Sequence, residues 1–124
     1  MRQYCKNTLG LENPFVYFQA GVLVFNVTEM SKVVTVDKLL EMSDTGIYRF
    51  SDQDILNVVC KDRVTYLDMK WNMIFDCDHF RWQKVIKYAP YYILDDYENA
   101  RKDPYIIHYA GFLKPWMKPD EDFG

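Results

Sequence analysis

The order of apolar and polar positions divides the chain into a small number of readable elements. Apolar residues crowd Phe15 to Val27, with Ala20 to Phe25 the longest such stretch, and this predicts a central strand covered on both faces. Glu29 to Met42 sets Met30, Val33, Val34, Leu39 and Leu40 close to helical spacing, and Ser43 to Gly46 supplies the stop. Ser51 with an acid three residues on, followed by Ile55, Leu56, Val58 and Val59, reads as an N-cap opening a helix. Val64 to Leu67 predicts a short strand, and Asp68 to Asn72 a loop that seats Trp71. Met73 to Ala89 has aromatics but no period, so loop and irregular helix are expected there. Tyr91 to Arg101 carries Leu94, Tyr97 and Ala100 at steps of three and reads as a surface helix. Ile106 and Ile107, after Pro104, predict a second short buried strand. The tail from Met117 to Gly124 is expected to fray or to continue into further chain.

That last strand would deliver His108 at its C-terminal end, where open α/β sheets gather their ligands. Gly111 would let the backbone approach a ligand closely, and Lys114 offers a mobile point charge suited to phosphate. Each has a plainer reading beside it. A histidine in an apolar strand is often a core residue satisfied by hydrogen bonds, a lysine is often solvated, and a glycine often only turns the chain. Asp52 at a helix start can simply complement the macrodipole.

The formal charge of −3 argues against a nucleic-acid binder, whose footprint would be a basic patch. The 10 tyrosines combine flat apolar faces with hydroxyls, which suits sugar recognition as well as a partner interface. Cys5, Cys60 and Cys77 show no pairing rhythm, so neither a disulfide framework nor a zinc site is indicated and a reducing compartment is expected. No apolar run approaches the ~20 residues needed to span a bilayer, and Met1 to Tyr4 does not open a signal peptide.

Four stretches carry a resemblance. They are Tyr17-Phe18-Gln19-Ala20-Gly21-Val22, Ser51-Asp52-Gln53-Asp54, Lys70-Trp71-Asn72, and His108 spaced before Gly111 and Lys114-Pro115-Trp116. In this order they resemble the C-terminal signatures of the family 8 glycosyltransferases. The resemblance implies the C-terminal part of a GT-A, Rossmann-like α/β domain, a mixed sheet with flanking helices, over residues 1–124. It also implies that the nucleotide-binding half with its Asp-x-Asp motif lies outside this sequence, so the isolated chain is expected to be nearly inactive.

By the same resemblance the activity is retaining transfer of glucose or galactose from a UDP-sugar to a glycan or lipid-linked acceptor. The setting is bacterial cell-surface polysaccharide synthesis in the cytoplasm, with peripheral membrane association as an open possibility. His108 would be the protein's imidazole ligand to Mn²⁺ or Mg²⁺; imidazole with carboxylates suits Mn²⁺ better. Gly111 and Lys114 would face the diphosphate, while Gln19, Ala20, Gly21, Asp52 and Gln53 would line the donor sugar. Gln53 and Asp52 are the candidate catalytic pair, with Gln53 supporting an oxocarbenium-like transition state from close to the anomeric carbon. Gln19 departs from the family's usual asparagine and lengthens that amide by one methylene. Asp76-Cys77-Asp78 spells an Asp-x-Asp after the Lys-Trp-Asn motif instead of before the first strand, so it reads as a chance loop motif. A separate metal site from Asp76, Asp78 and His79, or a small hydrolase using Asp76, Asp78 and His108, is a weaker rival. A sugar-binding or interaction domain without catalysis is the main one.

Overall fold

The computed structural model describes residues 1–76, 82–83 and 86–117. They fall into two compact units, Met1–Tyr66 and Leu67–Gly124. Asp78 and His79, and the tail beyond Met117, lie outside the described residues.

In the first unit a short helix α1 (Arg2–Asn7) buries Cys5 and turns into Leu9 and Leu11. These three form an apolar cluster against Tyr4, Val16, Tyr17, Tyr48 and Val58. The single helix expected from Glu29 to Met42 is two, α2 (Val27–Val33) and α3 (Val36–Asp44). The β-branched run Val33-Val34-Thr35-Val36 favours extended backbone, and Val34 adopts it at φ −149° and ψ 142°. Thr35 then caps α3 by accepting from Lys38 N at 3.2 Å, as Asn26 caps α2 by accepting from Glu29 N at 3.1 Å.

The helix expected after Ser51 is α4 (Ser51–Val59), but Ser51 is not its cap. Phe50 holds that position, and Ser51 sits inside the helix start with φ 45°. The face α4 buries is Asp54, Ile55 and Asn57 rather than a purely apolar stripe.

Two expected strands do not form. Pro14–Val16 is a 3₁₀ turn, and residues 17–26 run as irregular backbone with Val24 89% exposed, which overturns the buried central strand. The backbone of Phe18 and the N–H of Ala20 are instead met by side chains of α4, as described below. Residues 64–67 are likewise irregular, with Tyr66 donating its hydroxyl to Val16 O at 2.6 Å.

The second unit contains the only strands among the described residues, β1 (Met73–Asp76) and β2 (Ile107–Ala110), paired in parallel with Ile74 opposite His108. β1 lies where loop and irregular helix were expected. The second strand starts one residue later than the two isoleucines suggested, so His108 is its second residue and not its end. Ile106 and Ile107 are exposed rather than buried.

The helix expected from Tyr91 is α5 (Tyr91–Lys102), and it buries Tyr97 and Ala100, two of the three residues at that spacing. They close a cluster with Met73, against Met69, Phe75, Trp82 and Ile86. Trp82 stacks on Tyr97 at 6.1 Å between centroids. Among the described residues no helix is long and apolar enough to cross a membrane.

Met73 is 1% exposed at the centre of its cluster. Met73→Ala is expected to lower stability by about 2–5 kcal/mol, read as a shift in the urea midpoint.

Candidate functional site

The expected sugar-facing residues of the first unit gather at the mouth of α4. Residues 17–20 run past this helix, and its side chains hold their backbone. Asn57, 2% exposed, accepts from Phe18 N at 2.8 Å and donates to Phe18 O at 2.8 Å. Gln53 Oε1 accepts from Ala20 N at 3.0 Å. Asn57 and Gln53 thus replace the neighbouring strand that residues 18 and 20 lack. Gln19 turns back on its own loop, its Oε1 accepting from Gly21 N at 2.5 Å.

Behind Gln53 lies Asp54, which the sequence suggested only as the acid of a helix N-cap. Asp54 is 0% exposed and accepts three hydrogen bonds: from Tyr4 Oη at 2.5 Å, Tyr17 Oη at 2.7 Å and Phe50 N at 2.7 Å. Tyr4 in turn accepts from Arg49 N at 2.8 Å, and Tyr17 accepts from Gln53 Nε2 at 2.8 Å. Burying a carboxylate costs several kcal/mol unless its lone pairs are met, and here both oxygens are served. The readable signal was Gln53, Asp54 and Asn57 at helical spacing, a polar stripe where apolar residues were sought. Asp52 is exposed in the first turn of α4.

The second unit holds His108, Gly111 and Lys114 on β2 and the turn after it. His108 is half-buried, and its Nδ1 lies 3.0 Å from Asn72 Oδ1. With the Asn72 amide placed oxygen-first, the contact suits the tautomer that carries its proton on Nδ1 and keeps a lone pair on Nε2. This is the form that a metal-binding imidazole takes, and His108 fits as one ligand. Among the described residues no three His, Cys, Asp or Glu side chains come together, so further ligands would have to come from elsewhere.

Asn72 belongs to the Lys-Trp-Asn stretch, whose other members are structural. Lys70 O accepts from Tyr105 N at 2.9 Å and Ile106 N at 3.0 Å, and Trp71 meets Tyr105 edge-on at 5.0 Å. Lys70 Nζ also pairs with Asp103 at 3.0 Å.

Gly111 has φ 84°, a conformation that glycine adopts at no steric cost, and it ends β2 in a turn. Lys114 folds back over that turn and donates to Tyr109 O at 2.6 Å. One of its three protons is used there, and two remain. Trp116 stands edge-on to Tyr109 at 6.4 Å.

These elements have counterparts in known proteins. The apo structure of WbbM, a bifunctional glycosyltransferase, is similar at a TM-score of 0.81 and 37% identity, over 93% of this chain and 20% of that one. The α/β class is therefore that of part of a glycosyltransferase, consistent with a portion of a GT-A fold. Two lipopolysaccharide 1,2-glucosyltransferases of Escherichia coli are also similar. The one from strain K12 is 27% identical over 111 residues and the other 32% over 104, covering 82% and 81% of this chain. The chain spans 29% of the length of each. The profile of glycosyl transferase family 8 matches residues 5–119, and the chain belongs to that family.

Burial is the largest influence on the Tyr17 phenol and pushes it far above its usual 10.0, with the Gln53 amide pulling it down and Asp54 adding to the rise. Tyr4 is raised as well, first by burial. A phenol that holds its proton more tightly when folded contributes stability in full below the unfolded value, and loses it progressively as pH climbs from that value to the raised folded one. The urea midpoint is therefore expected to fall as pH rises above about 10, and less steeply in Tyr17→Phe than in the native chain.

Proposed function

We propose that this chain is the C-terminal part of the catalytic domain of a hexosyltransferase. It would move glucose or galactose, with retention, from a UDP-sugar to a glycan or lipid-linked acceptor in cell-surface polysaccharide synthesis. The observation that carries the reading is the family match across residues 5–119. The E. coli relatives, named as lipopolysaccharide glucosyltransferases, support the setting. An enzyme with such acceptors would work in the cytoplasm beside the membrane.

In this reading the residues of α4 act on the sugar. The Asp52 carboxylate, exposed at the helix start, accepts from sugar hydroxyls. Gln53 sets its amide dipole toward the positive charge that grows at the anomeric carbon as the bond to the diphosphate lengthens. An amide is a poor nucleophile, so Gln53 supports the charge without forming a bond, and the acceptor hydroxyl attacks from the face that the diphosphate leaves, passing its proton to an oxygen of the departing diphosphate. Gln19, Ala20 and Gly21 shape the wall. The N–H groups of Ala20 and Gly21 are already committed to Gln53 and Gln19, so this wall offers shape and carbonyl oxygens rather than amide donors.

On the leaving side, Lys114 directs its two remaining protons to diphosphate oxygens and neutralises charge as it develops. The turn at Gly111 lends a backbone N–H to the same oxygens. His108 presents Nε2 as one ligand to Mn²⁺ or Mg²⁺, with the Asp-x-Asp carboxylates of an upstream half as the others. When bound, the divalent ion neutralises diphosphate charge.

The test is a calorimetric titration of UDP-glucose and UDP-galactose with and without Mn²⁺, on this chain and on a version extended upstream in frame. The extended version should bind in a metal-dependent way and release hexose, and His108→Ala should weaken Mn²⁺ binding by at least about tenfold. Transfer that ignores metal, or an extended version that binds no UDP-sugar, would overturn the reading.

A further inference from the structure

Gln53 is an amide, and its two ends are chemically opposite: one accepts hydrogen bonds and the other donates them. Which end meets a ligand decides whether the residue supports a growing positive charge or opposes it. Nothing in the side chain itself fixes this, since a half-turn about its last bond exchanges the ends at almost no cost in shape.

The surroundings do fix it, and from both sides. Ala20 N is a backbone donor, so the atom of Gln53 facing it must be the carbonyl oxygen, as found at 3.0 Å. The amide nitrogen is then left to face Tyr17 Oη, at 2.8 Å, and the phenol oxygen must accept there. Tyr17 has one proton, and at 2.7 Å it donates that proton to Asp54 Oδ1. The other oxygen of Asp54 is faced by two donors, Phe50 N and the Tyr4 hydroxyl, whose own lone pair is taken by Arg49 N. Every proton in the series therefore points one way, from Ala20 through Gln53 and Tyr17 to Asp54.

We propose that Asp54 and Tyr17 are positioning residues that lock the Gln53 amide in a single orientation before any sugar arrives. The role rests on the reading of Gln53 as the residue nearest the reacting carbon. Asp54 itself, buried and with both oxygens committed, acts through Tyr17 rather than on the substrate.

Reversing the end of the series should reverse the rest. In Asp54→Asn the carbonyl oxygen stays with Phe50 N, so the new amide nitrogen faces Tyr17. The phenol must then accept from Asn and donate to Gln53, whose oxygen swings away from Ala20. In ¹⁵N-edited NOE spectra of the full native chain, the Gln53 side-chain protons should show cross-peaks to the Tyr17 ring. Asp54→Asn should abolish those cross-peaks and speed solvent exchange of the Ala20 amide about tenfold.

Should Asp54→Asn fail to fold, Tyr17→Phe removes the relaying oxygen alone and leaves the Gln53 amide nitrogen without its acceptor, so the Gln53 side-chain protons should exchange with solvent about tenfold faster. Tyr66→Phe, which deletes a hydroxyl bonded to Val16 O, should leave both readouts unchanged. Unaltered cross-peaks and unaltered exchange in Asp54→Asn, or unaltered exchange of the Gln53 side-chain protons in Tyr17→Phe where the former does not fold, would overturn the proposal. The measurement needs no sugar, so its failure leaves the assigned transfer reaction standing, and failure to bind UDP-sugars leaves this orientation standing.

Discussion

A carboxylate with no exposed surface is the constraint on which the first unit turns. Left unpaired, Asp54 would be costly enough to cancel much of a small domain's stability. It is tolerated because two phenols and a backbone amide converge on it from three separated parts of the chain: α1, the segment after the first 3₁₀ turn, and the residue before α4. Those three parts must therefore meet at one place. The apolar cluster of Cys5, Leu9 and Leu11 packs beside Tyr4 and Tyr17 and excludes water from the same region. Low local dielectric strengthens the three bonds and also raises the penalty for losing any one of them.

The same constraint explains how irregular backbone can be held in place. Residues 17–20 look like a strand by composition, yet they are held by Gln53 and Asn57 instead of by a ladder. Side chains from one helix bond alternate residues, 18 and 20, as a neighbouring strand would. In the second unit the work is done by backbone: Lys70 O ties the entry to β1 to the entry to β2, and Asn72 meets His108 across the same junction.

How far the sequence could be read differs by element for physical reasons. α5 was legible because an isolated helix on a surface must show its period, and Tyr97 and Ala100 fall where that period puts them. α4 was legible as a helix but not in its inward face, because Asp54 and Asn57 are polar and their partners lie far off in the chain. The stretch from Ala20 to Phe25 misled because apolar composition reports a preference for burial, and Val24 is not buried in this chain. β1, only Met73–Asp76, is too short for any alternation to register. Of the candidate site, His108 and Lys114 were legible from a strand end followed by a glycine and a cation, and Gln53 by resemblance. Their neighbours Tyr17 and Asn72 meet Gln53 and His108 through hydrogen bonds that span 36 residues, which leave no periodic trace.

The parallel pairing of β1 with β2 bears on the order in which the chain can assemble. Parallel neighbours cannot be joined by a tight hairpin, and here the whole of α5 and the segment before it intervene. On a ribosome, the first unit could consolidate once Tyr66 has emerged. β1 would wait with its hydrogen-bonding edge unmatched until Ala110 left the exit tunnel. The nascent chain therefore passes through an interval in which one half is complete and a bare strand trails behind it, and that interval is when a chaperone would have most to hold.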